Sequence, residues 1–415
     1  MTGFHESKLS DVLTFQRGFD ITKSEQSEGR IPIVSSSGIS SYHNTAKVKG
    51  PGVVIGRKGT LGTVHFLKED FWPHDTTLWI KDFKGNDPRF LSYFLPALKL
   101  ENFDVGAANP TLNRNHIHGI KVFFPRERRL QERIVAILSA YDELMENNRR
   151  RIALLEKLAE ELYREWFVRL RFPGHEKVKL VKGVPEGWRL MRFADIVEYY
   201  IGGGWGEDTQ SANFSEGAFV IRGTDIPDIQ SGNFDDCPFR FHKPSNLKSR
   251  QLQADDFIFE VSGGSKDQLL GRNVHITERL LDFLGAPVMG ASFCKQLRFK
   301  SNEVNPLFMR YFMKLYYECD LVGIYQVQST GISNYQFESF LKYQTILIPP
   351  TDLLTSFAKH VEPMIKLRDE ISVANISLRQ TRDLLLPRLI SGKLSVKELD
   401  IQFPPGMAEV TPPGS

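Results

Sequence analysis

Leu9-Ser10-Asp11-Val12-Leu13-Thr14-Phe15-Gln16-Arg17-Gly18 is answered much later in the chain by Phe193-Ala194-Asp195-Ile196-Val197-Glu198-Tyr199-Tyr200-Ile201-Gly202. Further out, Asp87-Pro88-Arg89-Phe90-Leu91-Ser92-Tyr93-Phe94-Leu95 returns as Asn305-Pro306-Leu307-Phe308-Met309-Arg310-Tyr311-Phe312-Met313. The strand-like Ile120-Lys121-Val122-Phe123-Phe124-Pro125 returns as Gln344-Thr345-Ile346-Leu347-Ile348-Pro349. The order is the same in both halves, and each last segment leads into a long helical stretch. The chain therefore reads as two copies of one unit, a globular domain followed by a long helix. A repeat of so long a period is a duplication, not a solenoid of short units. A duplicated binding domain on a helical spacer can read two separated pieces of one ligand.

The chain has 415 residues, enough for two or three domains. Its hydrophobic and charged fractions are those of an ordinary globular protein. Cys237, Cys294 and Cys319 lie far apart, form no CxxC pair and are odd in number, which argues against a disulfide framework. A reducing compartment, the cytoplasm, is the expected home. No signal peptide is visible at the N-terminus, and no apolar run is long enough for a membrane span. A net charge of +3 with a pI near 8.5 permits nucleic-acid binding without demanding it.

Residues 1–125 read as a first domain of strands and short helices. From Arg126 the pattern becomes helical. Leu130, Ile134, Ile137, Tyr141, Leu144, Asn148, Ile152, Leu155, Ala159, Leu162 and Trp166 recur at steps of three and four. This predicts one helix within 126–170, roughly 55 Å long at ~1.5 Å per residue. A turn-rich linker follows over 171–187, then a second, longer domain over 188–350 with insertions expected around 203–250. A second long helix is expected over 351–395, with Phe357, Val361, Met364, Ile371, Leu378, Leu385 and Leu389 on one seam. Pro363 should kink or restart it. Residues 396–415, with two Pro-Pro-Gly runs, read as a disordered tail. The fold expected is α+β: two globular recognition domains separated by two long antiparallel helices, a coiled coil, with a pseudo-two-fold internal repeat. Its seam would carry Ile134, Tyr141, Asn148, Leu155 and Leu162 against Val361, Met364, Ile371, Asn375, Leu378 and Leu385. Asn148 and Asn375 would fix register at some cost in stability, or else lie at the exposed edge of the stripe.

Enzymatic readings are weak. Asn305-Pro306-Leu307-Phe308 is similar to the Asn-Pro-Pro-Phe/Tyr motif of amino-methyltransferases. Its repeat partner is Asp87-Pro88-Arg89-Phe90, however, so the element reads as a helix start with Pro at its first position. Gly56-Arg57-Lys58-Gly59-Thr60-Leu61-Gly62 lies between strands and is not GxxxxGK[ST]. Its backbone N–H groups with Arg57 and Lys58 suit a DNA phosphate better. In the second copy, Ser262-Gly263-Gly264-Ser265-Lys266 takes that place, followed by Gly271-Arg272-Asn273. His116-Ile117-His118 lacks a third ligand with metal-site spacing, so no metal and no cofactor is expected.

What remains is rich in groups that read base edges. The first domain offers Ser35-Ser36-Ser37, Tyr42-His43-Asn44, Thr60 and Asn113-Arg114-Asn115. The second offers Arg222-Gly223-Thr224, Gln326, Gln328, Asn334 and Tyr335. Arg pairs with guanine, and Asn or Gln with adenine, in the major groove. For any single residue, an ordinary turn or cap role competes with base contact. The clusters as sets point to double-stranded DNA.

The pattern resembles the specificity subunit of type I restriction-modification systems. The residues that carry the resemblance are Gly-Arg-x-Gly-Thr-x-Gly from Gly56 to Gly62, Pro125 with Gln131-Glu132-Arg133-Ile134, and Val184-Pro185-x-Gly-Trp188. To these is added Leu384-Leu385-Leu386-Pro387-Arg388-Leu389-Ile390-Ser391-Gly392-Lys393-Leu394. It covers nearly the whole chain. It implies two target recognition domains, two spacer helices and no catalysis by the chain itself. It also implies a bipartite DNA target and two modification subunits that methylate adenine, with restriction subunits, which translocate and cleave, held through them. The second copy departs from this Gly-Arg-x-Gly pattern at Ser262–Lys266. Two other readings stand beside it: an amino-methyltransferase using Asn305 to Phe308, and a protein-interaction scaffold.

Overall fold

Val53, Val54 and Ile55 are buried on both faces of their sheet, as are Phe257, Ile258 and Phe259. Both stretches therefore read as unbroken apolar runs instead of alternating ones. They are the same strand in two copies of one assembly. The computed structural model describes residues 3–103, 111–263, 268–328 and 331–403. The chain divides into two units, Met1–Leu144 with Leu378–Ser415, and Met145–Ser377.

The two units share a topology. In the first, Phe4–Lys8 pairs antiparallel with Lys121–Pro125; in the second, Arg189–Arg192 pairs antiparallel with Thr345–Ile348. A one-turn helix follows, Leu9–Val12 or Phe193–Ile196. Each is pinned by one backbone bond, Leu9 N to Ile120 O at 2.8 Å and Phe193 N to Gln344 O at 3.0 Å. A four-stranded sheet then runs in the order Thr14–Arg17, Thr77–Asp82, Gly52–Gly56, Val64–Leu67. Its counterpart runs Val197–Gly202, Cys294–Phe299, Phe257–Glu260, Asn273–His275. A smaller sheet combines one antiparallel and one parallel pairing in both units. Ile31–Ser35 lies between Gly38–His43 and Trp72–Pro73; Glu216–Ile221 lies between Phe239–His242 and Val288–Gly290.

The returning Pro-containing stretch is a helix in both units, Pro88–Phe94 and Pro306–Glu318. The residue before each Pro caps it: the Asp87 carboxylate accepts from Phe90 N at 2.8 Å, and the Asn305 carbonyl accepts from Leu307 N at 2.9 Å. Phe90 and Phe308 are buried beneath. Asn305 is thus occupied as a cap and Phe308 as core, which leaves nothing there to grip and stack a substrate amine. The second unit is longer by the helices Ile226–Gln230, Pro244–Arg250 and Glu278–Leu284. The last of these falls outside the 203–250 stretch expected from sequence.

The long helices are Arg128–Tyr163, continued by a wider turn over Arg164–Val168, and Thr351–Ile390. Each contributes to both units. In the first unit Leu130, Ile134, Val135 and Leu138 pack with Leu385, Leu386, Leu389 and Ile390. In the second, Ala159, Tyr163 and Trp166 pack with Leu354, Phe357, Val361 and Ile365. Within each unit the start of one helix therefore meets the end of the other, an antiparallel pairing. Of the expected seam, Ile134, Asn148, Val361 and Ile371 are buried; Tyr141, Leu155, Leu162, Met364, Asn375, Leu378 and Leu385 are half-buried. Asn148 Nδ2 donates to Asn375 Oδ1 at 2.9 Å, and Asn375 Nδ2 to Met145 O at 3.3 Å.

Three expectations are corrected, and the turn-rich linker is seen to be packed. Leu144 is exposed, and its neighbour Met145 takes the seam position. Of the kink or restart expected at Pro363, the restart is excluded, since the second helix is continuous across it. Pro363 is solvent-exposed, so the carbonyl its ring displaces can turn to water. The stretch 171–187 is structured: Phe172 is buried against Trp188 at 5.7 Å between ring centroids, and Leu180–Val181 pairs with Val184–Pro185. Residues 396–403 are not a loose tail. Val396 is buried in the first unit, and Arg133 donates through Nε to its carbonyl at 3.0 Å. Residues 404–415 lie outside the described residues. Among the described residues no helix is long and apolar enough to cross a membrane, and Cys237, Cys294 and Cys319 are unpaired.

Candidate nucleic-acid interface

In the first unit four loops meet around Arg57 and Lys58. The strand Gly52–Gly56 ends at Gly56, which is pressed against Thr60: a Cβ there would fall 1.9 Å from Thr60 O. Only glycine allows that tight return. Arg57 N and Lys58 N both donate to Thr76 O, at 2.8 and 3.0 Å, tying in the turn His74–Thr77. Arg57 O accepts from Leu112 N at 2.9 Å, and Lys58 forms an isolated bridge with Thr111. The Thr63 hydroxyl donates to Ser36 O at 2.5 Å, and His65 Nε2 lies 3.3 Å from it. Ser35–Ser37, Arg57–Thr60 and Asn113–Asn115, far apart in sequence, are thereby brought onto one connected surface.

The charges there are arranged around one acid. Arg17 pairs with Asp75 at 2.8 Å, His74 lies at 3.2 Å and Lys58 at 4.0 Å. Partial burial would raise the Asp75 carboxyl, but the hydrogen bond from Arg17 and the surrounding cations outweigh it and hold it below its ordinary value. Arg57 Nη1 donates to Asp75 O at 3.1 Å; partial burial first, and Arg17 second, lower its ordinary value. Asp20, His74 and Asp75 place ligand atoms within 4.8 Å of one another. With Arg17 already on Asp75, that surface suits an anion better than a metal ion.

The second unit builds the same frame with other side chains. Val261 N and Ser262 N donate to Phe293 O at 2.9 and 3.3 Å, and Tyr335 N donates to Val261 O at 2.8 Å. Residue by residue, Arg57 corresponds to Val261, Lys58 to Ser262 and Leu112 to Tyr335. His74 N bonds Val34 O at 2.9 Å, as Ala291 N bonds Ile221 O at 2.8 Å. Ser35-Ser36-Ser37 therefore corresponds to Arg222-Gly223-Thr224. Ser262 Oγ reaches Asn334 Oδ1 at 3.1 Å. Gly223 lies against Glu260, whose Oε1 would be 2.4 Å from a Cβ. The cationic loop of the first unit is thus polar in the second, and the serine loop becomes the one that bears an arginine.

Several expected contact residues are placed differently. Asn273 is buried, its amide donating to Gly271 O at 3.2 Å and Met313 O at 3.3 Å, so it holds the sheet. Tyr335 is buried against Phe259 and Phe340, so its ring is core. Arg272 is bound by two bonds to Glu260, at 2.8 and 2.6 Å. Gln326 Oε1 accepts from Leu270 N at 2.8 Å. Arg222 is chelated by Asp225, with 41% of its side chain still exposed. Asn113 caps the helix Arg114–His118 by accepting from Asn115 N at 3.0 Å, which is the cap role. His118 Nε2 accepts from Phe15 N at 3.0 Å, spending that histidine on structure. Ser37, Lys58, Thr60, Arg114, Asn115, Thr224, Gln328 and Asn334 are exposed; Ser35 is half-buried and Ser36 buried. Ser265 and Lys266 lie outside the described residues.

Residues 1–157 match the family model described as the type I restriction modification DNA specificity domain. Over 314 residues the chain is 24% identical to the type I restriction enzyme MjaIX specificity subunit of Methanocaldococcus jannaschii, covering 72% of this chain and 66% of that protein. In fold it is similar to the S subunit of the type I restriction-modification system of M. genitalium. That likeness has a TM-score of 0.58 at 15% identity, over 93% of this chain and 96% of the other. The duplication, the paired long helices and these likenesses agree: residues 1–157 match the type I restriction modification DNA specificity domain, and most of the chain is similar to specificity subunits of type I restriction-modification systems.

Proposed function

We propose that this chain reads an asymmetric, bipartite DNA target across a fixed unread gap, and that it recruits the subunits that act on the DNA. The observation that carries the reading is the pair of equivalent loop clusters. One backbone frame, with the same hydrogen bonds, presents Ser35–Ser37, Lys58 and Arg114 in one unit and Arg222, Thr224, Ser262 and Asn334 in the other. A common frame with different side chains is what two unlike half-sites require.

Lys58 and the Gly56–Gly62 backbone take phosphate in this reading, while Arg114, Asn115, Arg222 and Asn334 face base edges. The chain works in the cytoplasm with two modification subunits, which methylate adenine, and with restriction subunits bound through them. Those subunits dock on exposed faces of the long helices. The test is methylation mapping at single-base resolution in cells carrying the chain and its modification subunit, against cells lacking the chain. One asymmetric motif with a fixed gap, present only with the chain, is the expected result. If the modification subunit is bound and no chain-dependent motif arises, DNA recognition is the wrong function.

A further inference from the structure

The turn His74–Thr77 of the first unit is closed by Thr77 N donating to His74 O at 2.9 Å. Its counterpart, Ala291–Cys294, is closed by Cys294 N donating to Ala291 O at 2.9 Å. Since Thr76 O and Phe293 O receive the same pair of neighbouring N–H groups, Phe293 stands where Thr76 stands. This places a phenylalanine, 58% exposed, at the tip of a turn within the polar loop cluster of the second unit. Among the described residues no ring stacks on it and no cation lies over it. Its backbone is fixed: the carbonyl accepts two hydrogen bonds and the next residue closes the turn. The turn that carries the ring is thus tied by backbone bonds to the strand end at Ser262, whose hydroxyl reaches Asn334, and to Ile221, which leads into Arg222-Gly223-Thr224.

Scattered exposed apolar residues are ordinary on a protein surface. This one is set apart by where it stands, at the centre of the loops that face the ligand. A phenyl ring offers no donor to a phosphate. On a base edge, the group it complements is the 5-methyl of thymine, which the major groove displays beside the donors and acceptors that its polar neighbours would read. We propose that Phe293 is a specificity-determining residue of the second recognition domain, packing on the methyl group of one thymine. The proposal rests on the DNA-reading function argued above.

The test uses the full chain assembled with its modification subunits, on duplexes carrying the mapped target. Each thymine is replaced in turn by deoxyuridine, which lacks the methyl, and affinity is measured at fixed salt. One replacement, in one half-site, should weaken wild-type binding about fourfold, the worth of one buried methyl. Phe293→Ala should bind the two duplexes equally, while Phe293→Leu keeps part of the preference. If no replacement matters, or if Phe293→Ala keeps the preference, the proposal is wrong. A Phe293-dependent rise in 2-aminopurine fluorescence, with uniform loss of binding in Phe293→Ala, would make the ring a wedge between base steps and overturn the methyl contact. Failure of the wild-type complex to prefer a duplex carrying the mapped target over one of unrelated sequence would instead overturn DNA reading itself.

Discussion

Lys58 and Arg114 sit on one surface yet should behave differently when removed. Lys58 has a point charge on a flexible stem at the Gly-rich turn, suited to phosphate. Lys58→Ala should weaken binding to all sequences alike and reduce the slope of log affinity against log salt by about 1, read from titrations at several salt concentrations. Arg114 lies in the first turn of a helix whose cap, Asn113, is fixed by its bond to Asn115 N. Arg114→Ala should relax one position of the first half-site, costing about 1–3 kcal/mol on the preferred base only. Asn113→Ala should instead lower stability by about 1 kcal/mol through the lost cap, with binding reduced uniformly. The acid limb of stability has its own residue-scale cause. His275 is fully buried, with Asp255 2.9 Å from Nε2. Burial lowers its ordinary value, and the help of Asp255 does not offset it. The unfolded chain therefore binds more protons than the folded one once pH drops below about 6.5, and stability must fall there. Thermal midpoints should decline between pH 7 and pH 5, and the decline should be shallower in a His275→Gln chain that remains folded.

Element packing adds polar constraints to the apolar seams. Glu156 of the first long helix takes Arg310 from the helix Pro306–Glu318 and Arg368 of the second long helix, the latter at 3.2 Å. Arg368 also donates to Ile229 O and Gln230 O at 2.6 and 2.7 Å. Glu156→Gln would leave the buried Arg310 guanidinium without its carboxylate, while Arg368 keeps Asp369, and should cost about 3 kcal/mol in denaturant unfolding. A loss under 1 kcal/mol would mean the network relaxes around the change. The Asn148–Asn375 amide pair is the other constraint, and it was legible in the sequence because both residues interrupt an otherwise apolar stripe. The choice between Leu144 and Met145 was not legible. Steps of three and four are equally helical, and only packing selects one. The expected match of Gly18 to Gly202 also shifts by one. Glu198 bulges out of its strand, so Gly203 takes the place of Gly18. Both glycines are required there, since a Cβ would fall 2.1 Å from His74 O or 2.2 Å from Ala291 O. At the candidate site the glycine and asparagine loops were visible by residue type. Asp75-Thr76 and Ser292-Phe293 were not, because the two copies share a turn and its hydrogen bonds but no side chain.

For the molecule as a whole, the duplication supplies the logic of a divided target. One recognition fold, used twice with different loops, can specify two unlike half-sites. Two continuous helices shared between the units can set what lies between them. The amide pair Asn148–Asn375 and the carboxylate Glu156 fix how those helices align, so a change in their length should be transmitted, not absorbed. Four residues added to the first long helix, with four matched in the second, lengthen each by about 6 Å at ~1.5 Å per residue. At about 3.4 Å per base pair this is close to two base pairs. Methylation mapping of the lengthened chain should therefore return both half-sites unchanged, with an unread gap longer by about two. If the half-site bases change instead, the helices shape the reading surfaces themselves and the spacer idea fails. If the gap stays as it was, the DNA and not the protein sets the spacing.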